Sequence, residues 1–332
     1  MLRIAVIGAG RIGQVHAAAV AAHPRARLVA VADPAAEAAE RLAAAHGARA
    51  ATAVGDVLGE DVDAVVVASP TDRHVQQVVA AVAAGKAVLC EKPVASTLAR
   101  VDECLAAVAG SEHRVMVGFN RRFDPGLGEV RARVAAGEIG PLAQLSIVSR
   151  DPTPPPVAYL AGSGGIFRDM TIHDLDTATW FLGEVVSVHA VGQASDPAFA
   201  AAGDWDGAVL TLVGATGAVA TIVNSRRCAT GYDQRVEAFG PDGSLTLENL
   251  TATPVRAATA TTSGARGPYL AFFLERYAAA YRAELDHFVT AIEAGRAPQP
   301  DLRAGRAALV LADAATESAR TGLTVRVGAD PT

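Results

Sequence analysis

The sequence predicts an α/β protein: a doubly wound parallel sheet first, then a second, α+β domain built on a large and mainly antiparallel sheet. Three observations carry this expectation. Short apolar segments alternate with helical ones over residues 1–119, a glycine-rich turn joins the first strand to the first helix, and β-branched segments recur after residue 142. Residues 2–7 read as a buried strand running directly into Gly8-Ala9-Gly10-Arg11-Ile12-Gly13, and residues 14–22 as the helix that follows. Gly8 permits the tight turn, Gly10 lets the backbone approach a pyrophosphate, and Gly13 allows close packing of helix on strand. The helix N-terminus, with Arg11 and Ile12 beside it, then faces the anion. A second apolar strand, 27–32, ends at Asp33, roughly 20 residues past the glycines, where a dinucleotide fingerprint places its acid. A carboxylate there binds the ribose hydroxyls and repels a 2′-phosphate. NAD is therefore favoured over NADP, with Pro34 rather than an arginine or serine following it, although Arg11 lies in the turn.

The alternation continues with strand 62–68, helix 71–84, strand 87–90, helix 97–109 and a last strand at 115–119. Ligands of such a sheet lie at the carboxyl ends of its strands, and two of those ends are chemically loaded. One is Ser69-Pro70-Thr71, with His74 in the first turn of the next helix. The other is Glu91-Lys92-Pro93. All of Ser69, Pro70, Thr71, His74, Glu91 and Lys92 are assigned to the cofactor crevice. Lys92 on a strand tip can also bind a substrate hydroxyl and favour its deprotonation; the plainer reading is a surface lysine paired with Glu91.

The polar stretch Asn120-Arg121-Arg122-Phe123-Asp124-Pro125 marks the boundary between a first domain, 1–119, and a second, 120–332. After it come a helix at 126–136, a strand at 143–150, a proline-rich loop at 151–156 and a glycine-rich turn at 162–165. Strands at 184–193, 207–213, 218–224, 232–239 and 244–248 form the second sheet, 251–266 reads as a loop, and two helices, 269–294 and 303–321, pack back across the domains.

Within the second domain, Asp169, His173 and Asp176 fall at i, i+4 and i+7, which on one helix puts all three on a single face. A histidine beside a carboxylate is a proton-transfer pair. The alternatives are a solvated helix N-terminus with Asp169 near its positive end, or a metal site.

Composition narrows the function. A net charge of −6 over 332 residues argues against nucleic acid and against an acidic membrane surface, leaving small molecules. Cys90, Cys104 and Cys228 are odd in number, widely spaced and without a C-x-x-C pair, as expected of reduced thiols in a cytoplasmic protein that uses no metal. Met1 leads straight into the first strand, leaving no room for a leader peptide. The uncharged stretch 207–225 has the length of a membrane span, but its central Gly-Ala-Thr-Gly marks a β-hairpin.

Taken together, Gly8-x-Gly10-Arg-Ile-Gly13, Glu91-Lys92-Pro93, the Gly118 to Asp124 stretch, the Arg168 to Asp176 stretch and Tyr232-Asp-Gln-Arg-Val-Glu237 resemble the glucose-fructose oxidoreductase/inositol dehydrogenase/MocA-like family, and within it inositol 2-dehydrogenases. The resemblance covers nearly the whole chain. It implies an N-terminal Rossmann domain, a C-terminal domain with an open-faced sheet that often joins subunits into a tetramer or dimer, and oxidation of a ring hydroxyl of a cyclic polyol by NAD. It also implies roles: Lys92, Asp169 and His173 catalytic; Asp176, Arg121 or Arg122, Asp151 and Tyr232 on the substrate. His173 would take the hydroxyl proton, Asp169 stabilise the resulting charge and Lys92 hold the same oxygen. Some inositol dehydrogenases carry a histidine in the strand before the proline loop, where this chain has Ser149-Arg150-Asp151-Pro152. The resemblance leaves open myo-inositol, another epimer, a pyranose or an anhydrosugar. A nucleotide sensor on the same fold would need the glycines but not the lysine, aspartate and histidine together.

Overall fold

A computed structural model describes residues 1–328, with residue 161 described by its backbone alone. The chain forms two compact units. The first comprises residues 1–123 and 279–309, the second residues 124–278 and 310–332.

The first unit is a parallel sheet of β1 (Leu2–Ile7), β2 (Ala26–Ala32), β3 (Arg49–Ala51), β4 (Ala64–Val67), β5 (Ala87–Glu91) and β6 (Val115–Gly118), in the order β3-β2-β1-β4-β5-β6. Its crossover helices are α1 (Arg11–Ala22), α2 (Ala36–Ala45), α3 (Thr71–Ala83) and α4 (Leu98–Ala107). Because helices cover both faces, the central strands are apolar throughout: β4 and the first four residues of β5 are wholly buried. The edge strand β3 has no apolar run and was not predicted; it forms by pairing with the end of β2. Leu285, Phe288 and Val289, from a helix near the C-terminus, complete this core.

The glycine turn shows why side chains are excluded from it. Gly8 has φ +105°, and a Cβ there would lie 2.6 Å from the carbonyl oxygen of Ala68; a Cβ on Gly13 would lie 1.9 Å from that of Gly8. Gly10, by contrast, faces open space.

The second unit contains α5 (Pro125–Ala135), β7 (Gln144–Arg150), α6 (Val157–Ser163), α7 (Ile166–Asp169), α8 (Ile172–Leu182), β8 (Val185–Gln193), α9 (Pro197–Ala201), β9 (Gly207–Gly214), β10 (Val219–Ser225), β11 (Asp233–Gly240) and β12 (Gly243–Leu247). A small hairpin of β13 (Arg256–Ala257) and β14 (Ala265–Arg266) and helix α10 (Phe273–Arg276) follow; α11 (Ala278–Glu293) and the start of α12 (Leu302–Thr321) then belong to the first unit, and the rest of α12 and β15 (Val325–Arg326) to the second. The sheet order is β12-β11-β7-β10-β9-β8-β15; β7 and β10 pair in parallel and the other neighbours antiparallel. The uncharged stretch 207–225 is the β9–β10 hairpin, and no helix among the described residues is long and apolar enough to cross a membrane. Helices α5, α7 and α8 and the end of α12 cover one face of the sheet. Val191, Val209 and Phe239, on β8, β9 and β11, stand 52%, 42% and 45% exposed, as on an open face.

Three differences from expectation have physical causes. The stretch read as loop and turn contains α6, which starts directly after Pro156, and α9 is started by Pro197 and by Asp196, whose side chain accepts from the Ala198 N–H. The loop at 251–266 closes into the β13–β14 hairpin. The helix read over 269–294 is two helices, broken at Tyr277.

Two outcomes follow for the folded protein. Gly13→Ala lowers stability by about 1–3 kcal/mol through overpacking, whereas Gly10→Ala melts close to wild type and loses nucleotide affinity; thermal unfolding with and without NADH separates the two. Burial pushes the Cys104 thiol up to about 11 and that of Cys90 well above its ordinary value, while Cys228 is half exposed. A thiol reagent near pH 8 therefore labels Cys228 alone until the protein unfolds, as peptide mapping will show.

Candidate active site

In the first unit the strand ends converge on the glycine turn. Helix α1 begins at Arg11 after Gly10, whose position offers no side-chain cap, so the first N–H groups of the helix are available to an anion. Arg11 is exposed, Ile12 half-buried and Gly13 buried. At the end of β2, Asp33 accepts from the Ala9 N–H (2.8 Å) and from the Ala35 N–H (2.8 Å), tying the acid to the turn. The close approach of Gly8 to Ala68 and Ser69 brings the end of β4 to the same place. These residues fit a dinucleotide: a helix N-terminus for the pyrophosphate, an open approach over Gly10 and a carboxylate at the ribose position.

Beyond β4, Ser69 Oγ donates to Gln77 Oε1 (2.6 Å), Pro70 precedes α3 and Thr71 is its first residue. His74 lies in the first turn of α3. It is buried, with Nε2 on the Ser69 carbonyl oxygen (2.8 Å) and Nδ1 on that of Pro93 (2.9 Å), so both ring nitrogens are used in bracing two loops. Lys92 is half-buried immediately after β5, and the Lys92–Pro93 peptide is cis. Glu91 does not pair with the lysine as a surface residue would. Its side chain turns inward, where Oε1 meets His16 Nε2 at 2.7 Å. Past β6, Arg121 is buried and Arg122 half-buried in a short 3-10 turn.

In the second unit the motif 168–176 departs from a single helix. Asp169 ends α7 and α8 starts at Ile172. The N–H groups of Met170 and Thr171 both bond to the Ile166 carbonyl (2.9 Å each), and the ladder restarts with Asp174 and Leu175 on Thr171. The helical run from Asp169 to Asp176 is thus interrupted at Met170–Thr171, where the backbone keeps right-handed helical angles. The cause is a tertiary bond: wholly buried Thr171 donates from Oγ1 to Asn224 Oδ1 (2.6 Å), which draws the start of α8 onto β10. His173 and Asp176 remain on one helix, the first half-buried and the second buried.

Asp169 is held from two sides. Arg226 donates from Nη1 to Oδ2 (3.0 Å), and Tyr159 donates from its hydroxyl to Oδ1 (2.9 Å). The guanidinium of Arg226 is 1% exposed, lies 5.9 Å above the Phe199 ring and approaches Asp204 at 3.9 Å. Removing one partner of so buried a pair costs about 3–5 kcal/mol. Arg226 was not among the expected site residues; its signal was a charged pair, Arg226-Arg227, directly after an uncharged strand. Asp174, also unexpected, is wholly buried and accepts from Ser149 Oγ (2.6 Å) and Asn224 Nδ2 (2.8 Å). Asp151 follows β7, its N–H on the Ser225 carbonyl (2.8 Å), and Tyr232 is buried with its ring perpendicular to that of Tyr277. Among the described residues, the imidazole and carboxylates close enough to share an ion are His16, Glu91 and Glu284, and not Asp169, His173 and Asp176.

Comparison with known proteins fits this geometry. The pattern of an oxidoreductase family with an NAD-binding Rossmann fold matches residues 2–119, and the C-terminal domain pattern of the same family matches residues 127–246. Inositol 2-dehydrogenase of Rhizobium meliloti (strain 1021) is 47% identical over 320 residues, 96% of each chain. The crystal structure of a myo-inositol dehydrogenase from Corynebacterium glutamicum ATCC 13032 superposes with a TM-score of 0.97 at 48% identity, covering 99% of this chain and 100% of that one. A myo-inositol dehydrogenase from Lactobacillus casei, in complex with NAD(H) and myo-inositol, superposes with a TM-score of 0.89 at 25% identity, covering 100% and 98%. The chain belongs to the glucose-fructose oxidoreductase/inositol dehydrogenase/MocA family of oxidoreductases, with an NAD-binding Rossmann domain at its N-terminus.

Proposed function

We propose that this protein is an NAD-dependent inositol 2-dehydrogenase, which oxidises myo-inositol to 2-keto-myo-inositol. The observation that carries the reading is similarity over 96% of the chain to a protein of that name, with Lys92, Asp169 and His173 all in place. NAD, when bound, accepts the hydride from the ring carbon. His173 removes the hydroxyl proton as the carbon–oxygen double bond forms, and Asp169 stabilises the imidazolium that results. Arg226 and Tyr159 fix the orientation of Asp169 for that task. Lys92 holds the hydroxyl oxygen and favours its deprotonation. Asp176, Asp151, Tyr232 and Arg121 or Arg122 take the other ring hydroxyls, and Glu91 serves the cofactor only through the strand tip it anchors.

The same reading extends to assembly and place. The half-exposed Val191, Val209 and Phe239 support a homo-oligomer, tetramer or dimer, closed over the open face of the second sheet. Three free cysteines support a reducing cytoplasm.

His173→Ala lowers kcat by about 10²–10⁴-fold and leaves NADH binding intact; Lys92→Ala loses at least as much. Unchanged turnover in either variant removes that residue from the chemistry. With purified protein and a panel of inositol epimers and aldopyranoses, NADH forms fastest from myo-inositol. A faster epimer or glucose would reassign the substrate. NADP supports on the order of 10²–10³-fold lower kcat/KM, because Asp33 repels the 2′-phosphate; similar efficiency with both cofactors contradicts that role.

A further inference from the structure

Three buried ionisable groups of the first unit take no direct part in the mechanism above. His16, from α1, meets Glu91 at the end of β5 through the 2.7 Å contact already described. Glu284, from α11, is wholly buried, and neither of its carboxyl oxygens has a hydrogen-bond partner. One ring nitrogen of His16 and one carboxylate oxygen each of Glu91 and Glu284 lie within 4.8 Å of one another. Tyr281, one turn before Glu284, stands perpendicular to the His16 ring at 5.6 Å and seals the cluster.

Such a cluster does not tolerate two ionised carboxylates. His16 supplies at most one positive charge, and the nitrogen that would carry it toward a carboxylate already serves Glu91. An isolated buried carboxylate is strongly disfavoured and takes up a proton instead. Burial pushes the Glu284 carboxyl well above the usual carboxylate range, and the neighbouring Glu91 charge adds to this. The Cys90 thiol next to Glu91 is kept neutral by its own burial and contributes no charge.

The cluster sits directly behind Lys92. Glu91 points inward and is close-packed: a Cβ on Gly118 of β6 would lie 3.2 Å from its carboxyl carbon. Successive residues of a strand point to opposite sides, so an anchored Glu91 fixes the direction in which Lys92 leaves the sheet. On the far side of Lys92, the Pro93 carbonyl is held by His74. The lysine is thus presented between two buried anchors.

We propose that His16, through its 2.7 Å contact, and Glu284, packed close by without a hydrogen bond, are positioning residues that hold the Glu91 carboxylate and through it the strand tip that presents Lys92. This rests on the role given to Lys92 above. The loss expected from releasing the strand tip is on the order of 10–100-fold in kcat, the scale set by a misplacement of about 1 Å.

The test uses the whole protein and two readouts. In the infrared spectrum at neutral pH, the wild type shows the carbonyl stretch of a neutral carboxyl group, and Glu284→Gln removes it. In steady-state kinetics with NAD and myo-inositol, Glu284→Ala lowers kcat by the stated factor with KM for NAD little changed, and Glu284→Gln, which keeps shape and neutrality, restores kcat to within a few-fold. A missing infrared band, a Glu284→Gln variant as slow as Glu284→Ala, or stoichiometric metal in the purified wild type that Glu284→Gln lacks overturns the proposal; the last would make the cluster a cation site. If Glu284→Ala does not fold, the band and the Glu284→Gln kinetics decide. Full turnover by Lys92→Ala defeats the role of Lys92 and the positioning role together, whereas slow turnover there with a fast Glu284→Ala defeats positioning alone.

Discussion

Asp174 has no access to water, and where its carboxylate finds donors decides where α8 can lie. Among its donors, Ser149 Oγ on β7 and Asn224 Nδ2 on β10 stand on the two parallel neighbours at the middle of the second sheet. A buried carboxylate left without them would cost several kcal/mol, more than the packing of one apolar side chain returns. The helix is therefore pinned at Asp174 by charge before it is packed by Leu175 and Ala178. With about 100° between successive residues, pinning Asp174 against the sheet also fixes the directions of His173 and Asp176. Thr171, bonded to the same Asn224, sets where the helix begins. One side-chain amide thus settles both the start and the rotation of the element that carries the histidine.

The same logic recurs at each ionisable residue given a chemical role. Asp169 is steadied by a guanidinium that is itself almost inaccessible, and the tip that bears Lys92 is steadied by Glu91 bonded to His16. In both cases the group that acts is half-buried, while its support is deep and far away in the sequence. Such supports are preorganised before any substrate arrives, so their orientation is not purchased from binding energy. The same supports serve stability: exchanging either partner of the Asp169–Arg226 pair strands a charge inside the protein, so it costs folding as well as chemistry.

The distance along the chain between actor and support explains which parts were legible in the sequence. The glycine turn, Asp33 and the tips at Ser69 and Lys92 are local features, and each lies where the strand and helix pattern puts it. The β9–β10 hairpin was readable because its turn residues interrupt an uncharged run. Arg226, Asp174, His16 and Glu284 were not readable, since their partners are distant along the chain: 57 residues separate Arg226 from Asp169, 50 separate Asp174 from Asn224, and 75 separate His16 from Glu91. The break between α7 and α8 belongs with these. The 3.6-residue pattern of Asp169, His173 and Asp176 is real, but the long-range bond from Thr171 to Asn224 interrupts the helix that carries it.

The strand before the proline loop makes a last point about substrate choice. Its end carries Ser149, Arg150 and Asp151. Ser149 is buried and committed to Asp174, and Arg150 pairs with buried Asp233 at 3.0 Å. Two of the three polar side chains at this strand end are thus held by the fold itself, and in the function proposed above Asp151 is the one that meets a ring hydroxyl from this side. An acid accepts hydrogen bonds and cannot donate them when ionised, so in this reading the hydroxyl opposite Asp151 must be a donor. Epimers that turn that hydroxyl between axial and equatorial positions change its distance and angle to the carboxylate, and a buried acceptor left unmet discriminates more sharply than a misfit apolar surface. Under the proposed function, selection among inositols at this strand would rest on one carboxylate, which accepts hydrogen bonds only, rather than on a side chain that can both donate and accept.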